Sequence, residues 1–124
     1  MKRIYIMLPF VVFFLLATGL SAADKTTIKR NVDEIVSAIN NGKAATSYAA
    51  NAYTPYAFIM DENGKLLLHP DLKGEYLLEK AAPIYEALQQ ATPEGKWVTY
   101  FWKGTEKHTY VRKTNSNLTV GSGN

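Results

Sequence analysis

Apolar and polar residues change period several times along the chain, and each change marks an element. Ile28, Val32, Ile35, Val36 and Ile39 recur at helical spacing and define one face of an amphipathic helix over residues 25–41. Asn40-Asn41-Gly42 supplies the stop, because glycine takes the left-handed conformation that ends a helix. The alanine-rich stretch 43–52 predicts a second short helix, which Pro55 ends. The period then shortens. Tyr56 to Met60 and Lys65 to His69 read as two strands around the turn Asp61-Glu62-Asn63-Gly64. Asn-Gly between apolar runs predicts a tight hairpin with positive φ at its centre, and Pro70 closes the second strand.

From Asp71 to Ala91 the pattern is helical but interrupted. Tyr76-Leu77-Leu78 forms a short turn or helix, and Pro83 opens the next one, with Ile84, Leu88 and Ala91 on one face. Thr92-Pro93-Glu94-Gly95 is a break. Beyond it Val98, Tyr100 and Trp102 alternate with Trp97, Thr99 and Phe101, which is the two-residue period of a strand. Lys103 to Glu106 turns the chain, residues 107–113 form the next strand, and residues 118–122 form the last. This order predicts an α+β domain. It has a long N-terminal helix, a five-stranded antiparallel sheet, crossover helices between strands 2 and 3, and all its helices packed on one face.

The first 23 of the 124 residues stand outside that pattern. Met1-Lys2-Arg3 precedes seventeen uncharged residues from Ile4 to Leu20, then Ser21-Ala22-Ala23. A basic start, an apolar middle and small residues at the end are the marks of a secretory signal. Residues 1–23 are therefore expected to be cleaved, leaving one domain over 24–124 in the periplasm or secreted. An uncleaved anchor that tethers the domain to the membrane is the alternative, although the apolar run is short for a span and contains Pro9. Removing Lys2 and Arg3 lowers the net charge from +3 to +1, which takes away the main argument for nucleic-acid binding. The chain has no cysteine, so it has no disulfide framework or zinc–thiolate site to stabilise it in an oxidising compartment.

Catalysis finds little support. The only histidines are His69 and His108, no serine sits in a recognisable nucleophile turn, and no metal-ligand spacing occurs. No enzyme activity, cofactor or metal is expected. Charge is more informative. Residues 61–94 carry a net −4 and residues 96–124 a net +4. The basic meander reads either as edge-strand charge that blocks aggregation or as an anion site where Lys107, Arg112 or His69 meets a carboxylate. Tyr56, Tyr100, Trp102 and Tyr110 read either as core packing or as an amphipathic pocket for a small polar ligand.

Taken in order, these segments resemble the extracellular Cache sensor domains. The run Tyr56-Ala57-Phe58-Ile59-Met60-Asp61-Glu62-Asn63-Gly64-Lys65-Leu66-Leu67-Leu68-His69-Pro70 matches their aromatic strand, Asp-x-x-Gly turn, second apolar strand and His-Pro. Gly74 follows, then Gly95 with Val98, Tyr100 and Trp102 at alternate positions, then Lys107, Tyr110, Val111 and Arg112. The close is Leu118 to Gly123, and the likeness spans about residues 26–123. It is nearest to the single-Cache type of chemoreceptors and histidine kinases.

The resemblance implies a PAS-like fold and a sensory role, as in chemotaxis and other signal transduction. It implies a small organic anion, often a short organic acid, as the partner, with His69, Tyr100, Trp102, Lys107 and Tyr110 as the ligand-binding residues. In that scheme Lys107 is the cation and Tyr100 and Tyr110 are hydroxyl donors. His69 is a donor whose charge varies near neutral pH, and Trp102 or Phe58 is the wall. His69 reads equally as a brace for the strand end. Two departures weigh on the function. After Gly74 the segment is short, lacking an Asp-x-x-Gly stretch, so part of a ligand lid is expected to be missing; and Gly123-Asn124 stands where the family closes and leads on, so no output domain is expected. The chain is thus expected to recognise a ligand without its own output, alongside a membrane receptor or histidine kinase. The alternative is an accessory protein of such a sensor that has lost the pocket. A homodimer through the N-terminal helix is a further option, against which the same apolar face can pack on its own sheet.

Overall fold

The computed structural model describes residues 24–123; the expected leader, its cleavage or anchoring, and Asn124 lie outside the described residues. Helix α1 occupies residues 24–40. Ile28, Val32, Ile35 and Val36 on its apolar face are all buried against the sheet, so that stripe is used within the chain. Gly42 ends α1 at φ +106°, while its N–H bonds the Ile39 carbonyl and the Lys43 N–H bonds the Ala38 carbonyl. These two bonds satisfy carbonyls that a helix end leaves open.

The short helix expected over 43–52 is instead two 3-10 turns, Ala45–Ser47 and Ala50–Ala52, separated by extended backbone at Tyr48 and Ala49. Ten residues are too few for alanine propensity to nucleate a helix alone. Packing decides the segment: Ala50 is buried in the core, and Tyr48 and Tyr53 face each other at 6.4 Å.

The domain is α+β, built on a five-stranded antiparallel sheet. Its strands are β1 (Ala57–Met60), β2 (Leu66–Leu68), β3 (Lys96–Trp102), β4 (Thr105–Lys113) and β5 (Thr119–Gly123), in the order β2-β1-β5-β4-β3. Helices α2 (Leu77–Lys80) and α3 (Ala82–Leu88) lie in the chain between β2 and β3, the two opposite edges. Pro83 sits in the first turn of α3, where its missing N–H costs nothing.

Helices cover both faces of the sheet, not one. Ala57, Ile59, Tyr110 and Val120 pack with α1, whereas Phe58, Met60, Leu66, Val98 and Val111 pack with Leu77, Ile84 and Leu88 of α2 and α3. The cause is visible in β1, where every residue is buried. A strand apolar on both faces must be covered on both faces.

The tight turn expected at Asp61–Gly64 is found instead between β3 and β4. At Asp61–Gly64 only Gly64 has positive φ, at +87°. Asp61 organises this turn by accepting the Asn63 and Lys65 N–H groups on Oδ1, both at 2.9 Å, and the register slips between Ile59 and Met60. The tight two-residue turn lies at Lys103-Gly104, with φ +52° and +79°, and pairs Trp102 with Thr105. Strand β4 therefore starts two residues earlier than the sequence pattern indicated. Among the described residues no helix is long and apolar enough to cross a membrane.

Candidate functional site

The face covered by α2 and α3 does not close completely. Between sheet and helices lies a cavity lined by Tyr56, Phe58, Leu66, His69, Leu72, Leu77, Ile84, Leu88, Tyr100, Trp102 and Lys107. Strand parity selects the sheet residues. Tyr100, Trp102 and Lys107 fall on the same face as Phe58 and Val98, and Tyr100 sits directly across from Lys107 in the β3–β4 register. The cavity measures about 30 Å³. A single water needs about 10–15 Å³ on this measure, so the space suits a ligand of only a few non-hydrogen atoms.

The polar groups around it are donors. The Thr109 hydroxyl, itself buried, donates to the Tyr100 oxygen at 3.0 Å. That bond leaves the Tyr100 proton free to be given to something else. Burial pushes the Tyr100 phenol above its usual value of 10.0, which keeps this proton in place. Tyr56 is raised for the same reason. His69 Nδ1 accepts the N–H groups of Asp71 and Leu72, both at 3.0 Å. The ring proton therefore belongs on Nε2, which is the polar atom the ring can still offer. Burial lowers the His69 pKa, and nearby Asp71 opposes this only in part. His69 is thus a neutral donor at neutral pH, not a group whose charge varies there. Its two bonds also brace the end of β2.

Lys107 is the one cation in the lining, and no lining residue is acidic. Its Nζ lies 5.9 Å from the centre of the Tyr56 ring. Among the described residues it has no ion pair: the bridges are Lys29–Asp33, Lys80–Glu75, His108–Glu106 and Arg112–Asp33. An unpaired ammonium, neutral donors and apolar walls together favour a small anion and disfavour a cation.

Tyr110 does not belong with the other four residues. It is three positions from Lys107 on one strand, so it projects from the opposite face. There it is buried and shares its hydroxyl proton between Asp33 Oδ1 at 3.4 Å and the Glu94 carbonyl at 3.2 Å. Arg112 is on that face too, paired with Asp33 at 3.1 Å and bonded to the Pro93 carbonyl at 2.7 Å. Burial pushes the Asp33 carboxyl up, but the hydrogen bonds and charges of Lys29 and Arg112 outweigh it and hold Asp33 below 3.8. This cluster ties α1 to the meander and leaves neither Tyr110 nor Arg112 free for a ligand in the cavity. Tyr56, not Tyr110, is the second hydroxyl-bearing residue of the lining beside Tyr100. The apolar lining from the helices, Leu77, Ile84 and Leu88, escaped the sequence reading of the site, although Ile84 and Leu88 stand one turn apart on a helix face.

His69 yields a pH test. The unfolded chain takes up its proton near the ordinary value of 6.5, while the folded chain resists until lower pH. Below 6.5 the unfolded state therefore binds more protons, and stability falls as the pH is lowered. The contribution is complete above that value and is lost as pH falls through the folded pKa. Urea unfolding across this range should show the slope in the native chain. In His69→Asn, whose side-chain oxygen can still accept the two backbone N–H groups, the slope should flatten. Equal slopes would show that His69 is not held neutral.

Compared with known proteins, the chain matches no family model and no curated sequence.

Proposed function

We propose that the chain is an exported, PAS-like domain of the single-Cache type that binds a short organic anion in the cavity beneath α2 and α3. The observation that carries this is the unpaired Lys107 in a lining of neutral donors and apolar walls with no acid. A carboxylate of two to four carbons would set its oxygens toward Lys107, Tyr100 and His69 and its alkyl part against Phe58, Trp102 and the leucines. Binding is the role these groups support best: His69 has Nδ1 occupied by two backbone N–H groups, and no serine, threonine, cysteine or carboxylate lines the cavity.

The sequence landmarks that resemble Cache domains fall where the backbone requires them, which supports the same reading. Asp61 caps its turn, Gly64, Gly74 and Gly95 have positive φ, and Gly121 leaves room for the Phe58 ring. The helices between β2 and β3 then serve as the crossover of that fold. They are short, four and seven residues, and share Ala81 in an irregular conformation at the joint. Ligand contacts from the sheet would favour one packing of this pair, and a membrane receptor or histidine kinase would read the change. The small cavity volume also fits an accessory protein that keeps the fold without a ligand.

Titration calorimetry separates the two. Acetate, propionate and lactate should release heat with saturable binding, while acetamide and propionamide, of the same shape but uncharged, should bind at least about tenfold more weakly because the charge-assisted bond is lost. No binding by any acid would leave the accessory protein as the reading. Equal binding of acids and amides would remove Lys107 from the site.

A further inference from the structure

The two edges of the sheet are treated differently. The β2 edge is closed by the following segment: the Leu66 N–H bonds the Glu75 carbonyl at 2.9 Å, the Gly74 N–H bonds the Leu66 carbonyl at 2.8 Å, and Lys65 bridges to Tyr76. The β3 edge has no such cover among the described residues, since β3 pairs with β4 alone. It is the longer of the two edges, seven residues against three. Between Lys96 and Lys103 it carries no charge and no proline, the usual devices that keep an open edge from pairing. It also exposes aromatic surface, with Phe101 68% and Trp97 37% accessible.

We propose that this edge pairs with β3 of a second copy of the chain, antiparallel and centred on Thr99, joining two sheets into one. The strand Lys96-Trp97-Val98-Thr99-Tyr100-Phe101-Trp102 is its own complement about that centre. In this register Trp97 of each copy stands across from Phe101 of the other, on the same face as α1. Val98 stands across from Tyr100, and Lys96 across from Trp102, on the cavity face. Directly opposed side chains lie about 4.5–5.5 Å apart at Cβ, so the register makes two aromatic pairs and two ammonium–indole pairs. No lysine meets a lysine. Just beyond the paired segment, Glu94 of one copy comes beside Lys103 of the other, which matches charge at both ends. A second copy is the occupant that this symmetry specifies, because every contact is made twice by the same residues. Tyr100 and Trp102 are shared with the cavity lining, but the pairing does not require the cavity to hold an acid.

The test uses the full chain expressed with residues 1–23, so that any processing occurs, and light scattering measures its mass over a range of concentrations. A monomer–dimer equilibrium is expected. Thr99 is exposed and lies on the twofold axis. Thr99→Lys alone and Thr99→Glu alone should each be monomeric at concentrations where the native chain is dimeric, because like charges then face each other. Mixed in equal amounts, the two variants should dimerise again. The mixture also shows that both variants are folded. A native chain that stays monomeric throughout, a dimer that neither substitution weakens, or a mixture that stays monomeric would each overturn the proposal.

Discussion

Gly121→Ala is expected to lower the stability of the domain and abolish binding in the cavity together. Gly121 lies on β5 directly across from Phe58 of β1, on the cavity face. A β-carbon there would overlap the far end of the Phe58 ring. The ring has two ways to respond. If it stays, the core is overpacked, at a cost of about 1–3 kcal/mol. If it moves away from β5, it enters the cavity that it now walls. A cavity of about 30 Å³ cannot take a displaced ring edge and a ligand. For a domain of this size each kcal/mol corresponds to roughly 4–8 °C in Tm. Thermal melts with and without acetate should therefore show a lower Tm for Gly121→Ala and no rise on adding the acid. A variant that melts lower but keeps the native ligand response would show that Phe58 does not wall the site. The nearby Gly123→Ala makes a useful contrast, since its β-carbon would meet Thr109 and the His108 backbone instead of the ring.

Much of this arrangement is legible in the sequence, and what escapes has identifiable causes. The five strands follow from short apolar runs, a two-residue period in β3 and turn residues, which are local signals. The face on which each helix packs is not local. Ala57-Phe58-Ile59-Met60 carries the information, since four consecutive apolar residues demand cover on both sides. Read as an alternating strand, it points to helices on one face only.

The site shows the same division. His69, Tyr100, Trp102 and Lys107 line one cavity, yet Tyr110 lies on the other face. Parity alone separates Lys107 from Tyr110, because an odd number of steps along a strand reverses the face. The partnership of Tyr100 with Lys107 depends on the turn. A two-residue turn at Lys103-Gly104 places them opposite each other, whereas a turn extended to Glu106 shifts the register. The tautomer of His69 depends on the Asp71 and Leu72 N–H groups reaching back to Nδ1, and its neutral state on burial, neither of which a spacing rule supplies.

The central claim is that Lys107 makes this cavity an anion site. Its removal should weaken binding strongly without disturbing the core, because a hydrogen bond to a charged group is worth about 1.5–3 kcal/mol, or roughly ten- to a hundredfold in Kd. Lys107→Met is the substitution of choice. It keeps an unbranched stem beside the Tyr56 ring and the cavity wall and removes only the ammonium, so the fold should be retained. The measurement is the Tm of the native chain and of Lys107→Met against rising concentrations of short carboxylic acids at neutral pH. A ligand that binds only the folded state must raise the Tm as its concentration increases. A concentration-dependent rise is expected for the native chain with at least one such acid, and no rise for Lys107→Met over the same range. An equal rise in both proteins, or none in a native chain that melts cooperatively, would contradict the claim.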